Sequence, residues 1–140
     1  MVKARVLFLC THNSARSQMA EGLLRHVAGD RFEVASAGTV ETRVHPLAIR
    51  AMAELGVDIT GQSSKTLERY LGEPFDAVIT VCDRAAETCP IFPGAKEKLH
   101  WSFEDPSAVE GGEEARLAAF RKARDQIRAR LPELTDRVLS

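Results

Sequence analysis

The run from Arg5 to Ser17, RVLFLCTHNSARS, constrains this chain more than any other stretch, because three kinds of local structure meet in it. Arg5 to Leu9 is short and almost wholly apolar, as expected of a strand buried on both faces of a parallel sheet. From Ser17 to Val27 the apolar residues Met19, Leu23, Leu24 and Val27 recur at helical spacing, and Gly29 closes the pattern. Between strand and helix lies CxxxxxRS, a loop short enough to aim successive backbone N–H groups at one point. A loop of this kind before a helix N-terminus is a nest for a tetrahedral oxyanion. Arg16 adds a permanently charged, bidentate fork to it. A thiol in such an electropositive surround is expected as its thiolate, which makes Cys10 a candidate nucleophile. A lone cysteine at the end of a core strand is more often inert, so the placement between an apolar strand and an amphipathic helix carries the reading.

The rest of the chain repeats the alternation of strand and helix. RFEVAS, Arg31 to Ser36, is the second expected strand, and strand, helix, strand makes a right-handed βαβ unit. Pro46 opens a helix with Ala48, Ile49, Met52, Ala53 and Leu55 on its buried stripe, and Gly56 caps it. The turn-rich segment from Val57 to Thr66 is a connection, and Leu67 to Leu71 is one helical turn. DAVITV, Asp76 to Val81, is the third strand, and a short fourth is expected around Lys98 to Trp101. Gly111-Gly112 precedes a long final helix from about Glu113, with Leu117, Phe120, Ile127 and Leu131 inward and Pro132 kinking or ending it.

The fold class is therefore α/β, a four-stranded parallel sheet with helices on both faces, in one domain spanning residues 1–140. In such sheets ligands bind at the carboxyl ends of strands, and Cys10, Cys82 and Asp105 all fall at or just past such ends. With a net charge of −1, no global field favours nucleic acid or a membrane surface. No leader pattern or long apolar run is read, so the expected location is the cytosol and the expected state a monomer. Three cysteines in a cytosolic chain argue for catalysis, redox chemistry or metal rather than a structural disulfide framework.

CTHNSARS, the 140-residue length and the cysteine pair in VCDRAAETC resemble the thioredoxin-coupled arsenate reductases, which share the low-molecular-weight protein tyrosine phosphatase fold. The resemblance covers the chain from Val6 to the last helix. It implies a triple-cysteine relay. Arsenate, held by Thr11, His12, Asn13, Ser14, Ala15, Arg16 and Ser17, is attacked by Cys10. Cys82 then attacks Cys10, arsenite leaves, and Cys89 resolves the Cys10–Cys82 bond into a Cys82–Cys89 disulfide that thioredoxin reduces. No bound cofactor is implied; the electrons come from thioredoxin. Asp105 in Asp-Pro matches the general acid, although an aspartate before proline is also an ordinary turn residue.

Geometry bears on the pair independently. Neighbouring strands lie about 4.8 Å apart, so Cys10 and Cys82 can reach disulfide distance if the first and third strands are adjacent. DRAAETC reads as a two-turn helix, and residues seven apart on a helix are about 10.5 Å apart along its axis. A Cys82–Cys89 bond would require that helix to unwind, carrying the oxidised pair outward. Two other readings of these thiols stand beside the relay: inert burial, and a zinc site with a histidine, for which CxxxxxxC lacks the usual close spacing.

Relatives that bind a structural potassium ion use Asn13, Glu21, Ser36, a residue matching Ser63, and an aspartate where Lys65 stands here. A lysine repels a cation, so no metal is expected, with Lys65 pairing with Glu21. The phosphatase alternative needs neither Cys82 nor Cys89, and PSAVEGGEE lacks the paired tyrosines common after Asp-Pro in those enzymes. A third alternative is an oxyanion-responsive redox sensor. His12 is expected to face solvent, and His26, His45 and His100 to be surface or capping residues. Trp101 is read as packing, and the basic run from Arg121 to Arg130 as a solvated helix face.

Overall fold

The computed structural model describes residues 3–83 and 89–139. Its sheet has the order β2-β1-β3-β4, all strands parallel: β1 Ala4–Leu9, β2 Phe32–Ala37, β3 Phe75–Thr80 and β4 Ala95–His100. Three α-helices accompany it, α1 Arg16–Ala28, α2 Pro46–Ala53 and α3 Glu113–Leu139, with 3-10 turns at Leu67–Tyr70 and Pro106–Ala108. β1 lies centrally and the chain moves to one side for β2 and to the other for β3, so the carboxyl end of β1 is the switch point of the sheet. Cys10 stands there.

Side chains alternate along β1 and from Ala77 to Val81, with Phe75 at the start of β3 outside the alternation, and divide the core in two. Val6, Phe8 and Cys10, with Ala77, Ile79 and Val81, pack under α1, α2 and α3. Leu7 and Leu9, with Phe75 and Val78, meet Phe92, Leu67 and Tyr70 on the opposite face. Trp101, 2% exposed, packs on Phe8 in the first cluster, as expected of a packing residue.

β4 starts at Ala95, earlier than its mixed sequence implies. AKEKLH carries little apolar patterning because it is an edge strand, paired on one side only. Pro132 does not end α3, which continues to Leu139. An interior proline costs about 3 kcal/mol. The buried Leu131 and Leu134, each worth roughly 1.5–3 kcal/mol, offset that cost. Nor is the basic run of α3 wholly solvated. Arg124 is buried and donates to Ala51 O at 2.8 Å and Glu54 Oε1 at 2.8 Å, while Arg121 chelates the same carboxylate, fastening α3 to the end of α2. The two arginines hold the Glu54 carboxyl down at about 2. The expected helix in DRAAETC falls on residues 84–88, outside the described residues.

Candidate active site

The loop from Cys10 to Ala15 is held in place by its own side chains and by the next strand. Asn13 takes φ of 48°, a left-handed conformation that asparagine tolerates better than most residues, and is fully buried. Its Oδ1 accepts the Lys65 N–H at 2.7 Å, which fixes the amide orientation. Nδ2 then donates to Ser17 Oγ at 2.8 Å and Ser36 Oγ at 2.9 Å. Ser36 passes its hydroxyl hydrogen to Glu21 Oε1 at 2.5 Å. Ser17, already accepting from Asn13, has its hydrogen left for Cys10 Sγ at 2.8 Å, and the Asn13 N–H points at the same sulfur at 3.2 Å. The sulfur therefore receives two hydrogen bonds.

Glycine is obligatory at Gly38. A Cβ there would lie 2.6 Å from Thr11 O and 2.9 Å from both Asn13 N and Cys10 O, so no side chain fits between β2 and the loop. The residues that follow continue the support: Thr39 N and Val40 N donate to Thr11 O, and His45 N donates to Ser14 O. Thr11 Oγ1 is buried without a hydrogen-bond partner among the described residues.

α1 begins at Arg16 with no side-chain cap and no acidic residue in its first turn, so the positive end of the helix meets no carboxylate of its own. Arg16 is 2% exposed; it donates to Phe103 O at 3.0 Å, and a second guanidinium nitrogen stands 3.8 Å from Asp105 Oδ2. Asp105 divides its carboxylate between two neighbours. Its Oδ1 caps the turn at Pro106–Ala108 through Ser107 N and Oγ, while Oδ2 faces Arg16.

Lys65 Nζ lies 4.0 Å from Glu21 Oε1 and donates to Ser63 O at 2.6 Å, the pairing expected from its sequence position. Arg25 also meets Glu21, at 2.5 Å. Burial pushes the Lys65 ammonium below its ordinary value, against the pull of Glu21. Three contributors escaped the sequence reading. Gln18 Nε2 bridges Asn13 O and Ser63 O, Ser64 Oγ accepts from Thr42 N, and Phe103 offers its carbonyl to Arg16. The first two are polar side chains buried against the loop, with no spacing to flag them.

The other two cysteines lie past the end of β3. Cys82 and Cys89 form a disulfide, with Cα atoms 5.9 Å apart rather than the separation of a continuous helix, and Cys10 is a buried free thiol. The ladder continues beyond β1 and β3, where Val81 N donates to Leu9 O at 2.8 Å. Cys10 and Val81 share a core face, and Cys82 follows Val81 directly. The Cys82 sulfur lies instead by Cys89 and His100, within 4.8 Å of a ring nitrogen. His100 is thus not the surface or capping residue its sequence implied. It pairs in register with Thr80 at the end of β4. His45 is a cap as expected, its Nδ1 accepting from Leu47 N at 3.1 Å, and His12 is exposed.

A strand-loop-helix turn thus places a buried free cysteine at the switch point of the sheet. The sequence profile of the low molecular weight phosphotyrosine protein phosphatases matches residues 5–140. The chain belongs to that family. Within it, the chain is 46% identical over 131 residues to an arsenate reductase of Halalkalibacterium halodurans, covering 94% of each. It is also similar to the structure of an arsenate reductase in an oxidised state, with a TM-score of 0.80, 34% identity and coverage of 96% of this chain and 98% of that one. A thioredoxin-dependent arsenate reductase of Corynebacterium glutamicum aligns over 98% of this chain and 62% of its own, with a TM-score of 0.67 and 32% identity. Among the described residues no helix is long and apolar enough to cross a membrane.

Proposed function

We propose that this protein reduces arsenate to arsenite through Cys10, Cys82 and Cys89, with thioredoxin as the electron donor. The observation that carries the reading is a Cys82–Cys89 disulfide formed beside a free Cys10 that keeps its cradle. That is the state expected at the end of one turnover.

Arsenate enters the nest of loop N–H groups, the α1 terminus and Arg16. Cys10 thiolate attacks arsenic and an oxygen leaves as water, with Asp105 Oδ2 beside Arg16 supplying a proton. Cys82 thiolate attacks Cys10 Sγ; the sulfur–arsenic bond breaks and its electron pair stays on arsenic, which departs as arsenite. Cys89 thiolate attacks Cys82 Sγ and releases Cys10 as thiolate, so the two electrons given to arsenic have come from the Cys82 and Cys89 thiols. Between these steps the Cys82 sulfur changes partner from Cys10 to Cys89, the partner it has in the structure.

Cys82 is 0% exposed and Cys89 partly exposed, so an incoming thioredoxin thiolate meets the Cys89 sulfur first. A relay that must be re-reduced each turn belongs in a reducing compartment, which supports the cytosol. The cradle and Asp105 also suit a phosphate ester, and slow phosphatase turnover through a phosphocysteine accompanies the main reaction.

Coupled turnover of arsenate with thioredoxin, thioredoxin reductase and NADPH tests this, alongside hydrolysis of p-nitrophenyl phosphate. Cys10→Ser should abolish both. Cys82→Ser and Cys89→Ser should abolish multiple-turnover reduction and leave ester hydrolysis. Full arsenate turnover by Cys89→Ser would overturn the relay, and a wild type that exchanges its disulfide with thioredoxin but never turns over arsenate would indicate a sensor.

A further inference from the structure

Besides the anion cradle, the described residues hold one compact set of soft ligands: Cys82 Sγ, Cys89 Sγ and a ring nitrogen of His100, all within 4.8 Å of one another. From this we infer that the reduced protein has a binding site for a thiophilic divalent cation of the zinc class, built from these three side chains.

The ligand chemistry and the local support agree. Two thiolates and an imidazole select zinc-like ions over calcium or magnesium, which take oxygen ligands. Thr80 orients the ring. Its hydroxyl lies 2.6 Å from His100 Nδ1 and fixes the ring through that nitrogen. An imidazole fixed through its second nitrogen is the usual support of a metal-binding histidine. Trp101 N, donating to Thr80 O at 2.8 Å, ties the end of β4 to β3 and holds ring and hydroxyl in register.

The dimensions also fit. With metal–sulfur bonds of about 2.3 Å and metal–nitrogen bonds of about 2.0–2.1 Å, tetrahedral ligand atoms stand roughly 3.5–3.8 Å apart. The nitrogen must approach by up to about 1.3 Å, and the sulfurs must part from their bonded distance to about 3.8 Å, so in the reduced protein the ion selects the close arrangement of Cys82 and Cys89 over the roughly 10.5 Å separation expected on a helix. Cys82 is buried while Cys89 and His100 are partly exposed, and His100 lines a cavity of about 350 Å³ together with Thr80, Pro90, Ile91 and Phe92.

Reduction of the disulfide adds two electrons and two protons, and the cation displaces both protons as it binds the two thiolates. The bond between the sulfurs excludes the ion from the oxidised protein. An ion held here occupies both sulfurs that the proposed relay uses after Cys10, although binding itself does not rest on that proposal.

Anaerobic titration of phosphine-reduced Cys10→Ser with cobalt(II) tests the site without any arsenate assay. One equivalent should bind with a thiolate-to-cobalt charge-transfer band and tetrahedral visible bands, and zinc should displace it. His100→Ala should weaken binding at least tenfold, and Thr80→Val by several-fold through the ring orientation. Cys89→Ser should lose about half of the charge-transfer intensity. The disulfide form should show no such band. Absence of the band in reduced protein, equal affinity in His100→Ala with an unchanged circular dichroism spectrum, or equal binding to the oxidised form would each overturn the site. Failure of cobalt binding with normal arsenate turnover would leave the relay standing, and the reverse result would separate the two equally well.

Discussion

The two ends of the cysteine set are built in opposite ways. Around Cys10, Asn13, Ser17, Ser36, Glu21 and Lys65 form a closed hydrogen-bonded web in which nearly every member is buried. Around Cys89 there is a disulfide, a half-buried histidine and Ile91 standing 84% exposed. A nucleophile that must meet a small anion gains from preorganisation, since misplacement by about 1 Å costs roughly 100-fold in rate. A sulfur that must visit two partners and then reach a third protein cannot be held so tightly. The molecule therefore concentrates its rigidity at the carboxyl end of β1 and leaves the end of β3 adaptable.

Asn13→Ala breaks the rigid side most severely, because it removes both donors and the acceptor that organise the loop and puts alanine at positive φ. Its kcat/KM for arsenate and for p-nitrophenyl phosphate should both fall about 100-fold. A change under threefold would mean that the web is not what holds the loop. On the adaptable side, Ile91→Glu should raise KM for thioredoxin several-fold while leaving single-turnover arsenite release and ester hydrolysis unchanged. Rapid-quench measurements on the pre-reduced enzyme separate these, and a slowed first turnover would place Ile91 within the relay instead of at its exit.

Glu54→Gln sharpens the contrast from outside both regions. The Glu54 carboxyl is held at about 2, below its ordinary value of 4.5, so its clamp is fully present above about pH 4.5 and is lost as pH falls toward 2. In wild type, thermal stability should therefore fall across that window. Glu54→Gln should show less of that fall and a slightly lower Tm at pH 7; identical pH profiles would show that the α2–α3 clamp is immaterial. The smallest expected effect is that of potassium. With the Lys65 ammonium beside Glu21, adding potassium chloride at fixed ionic strength should change arsenate turnover by less than about twofold. A several-fold rise would mean that Lys65 does not take the place of a cation in the web.

Legibility in the sequence followed the range of the interactions involved. β1, the loop and α1 were readable within one or two residues, because a five-residue apolar run, CxxxxxRS and a 3.6-residue stripe are all local signals. β4 was the poorest match, since an edge strand needs no continuous apolar pattern. Arg124 was read as part of a solvated face because its partners Ala51 and Glu54 lie on another helix, some seventy residues earlier. His100 was missed for the same reason. Nothing in its neighbourhood in the chain marks it, and it meets the cysteine pair only through the register of β4 on β3.

By itself the sequence determined the local chemistry: a cysteine and an arginine at a strand-to-helix turn, two further thiols seven residues apart, and an aspartate before proline. Only the folded chain decided which of these groups meet. Strand order sets Cys10 at the switch point, and strand register brings His100 to the end of β3, beside the Cys82 sulfur. Backbone propensity acts over a few residues, whereas pairing between distant strands is settled by the packing of the whole core, and it is pairing that brought these residues together.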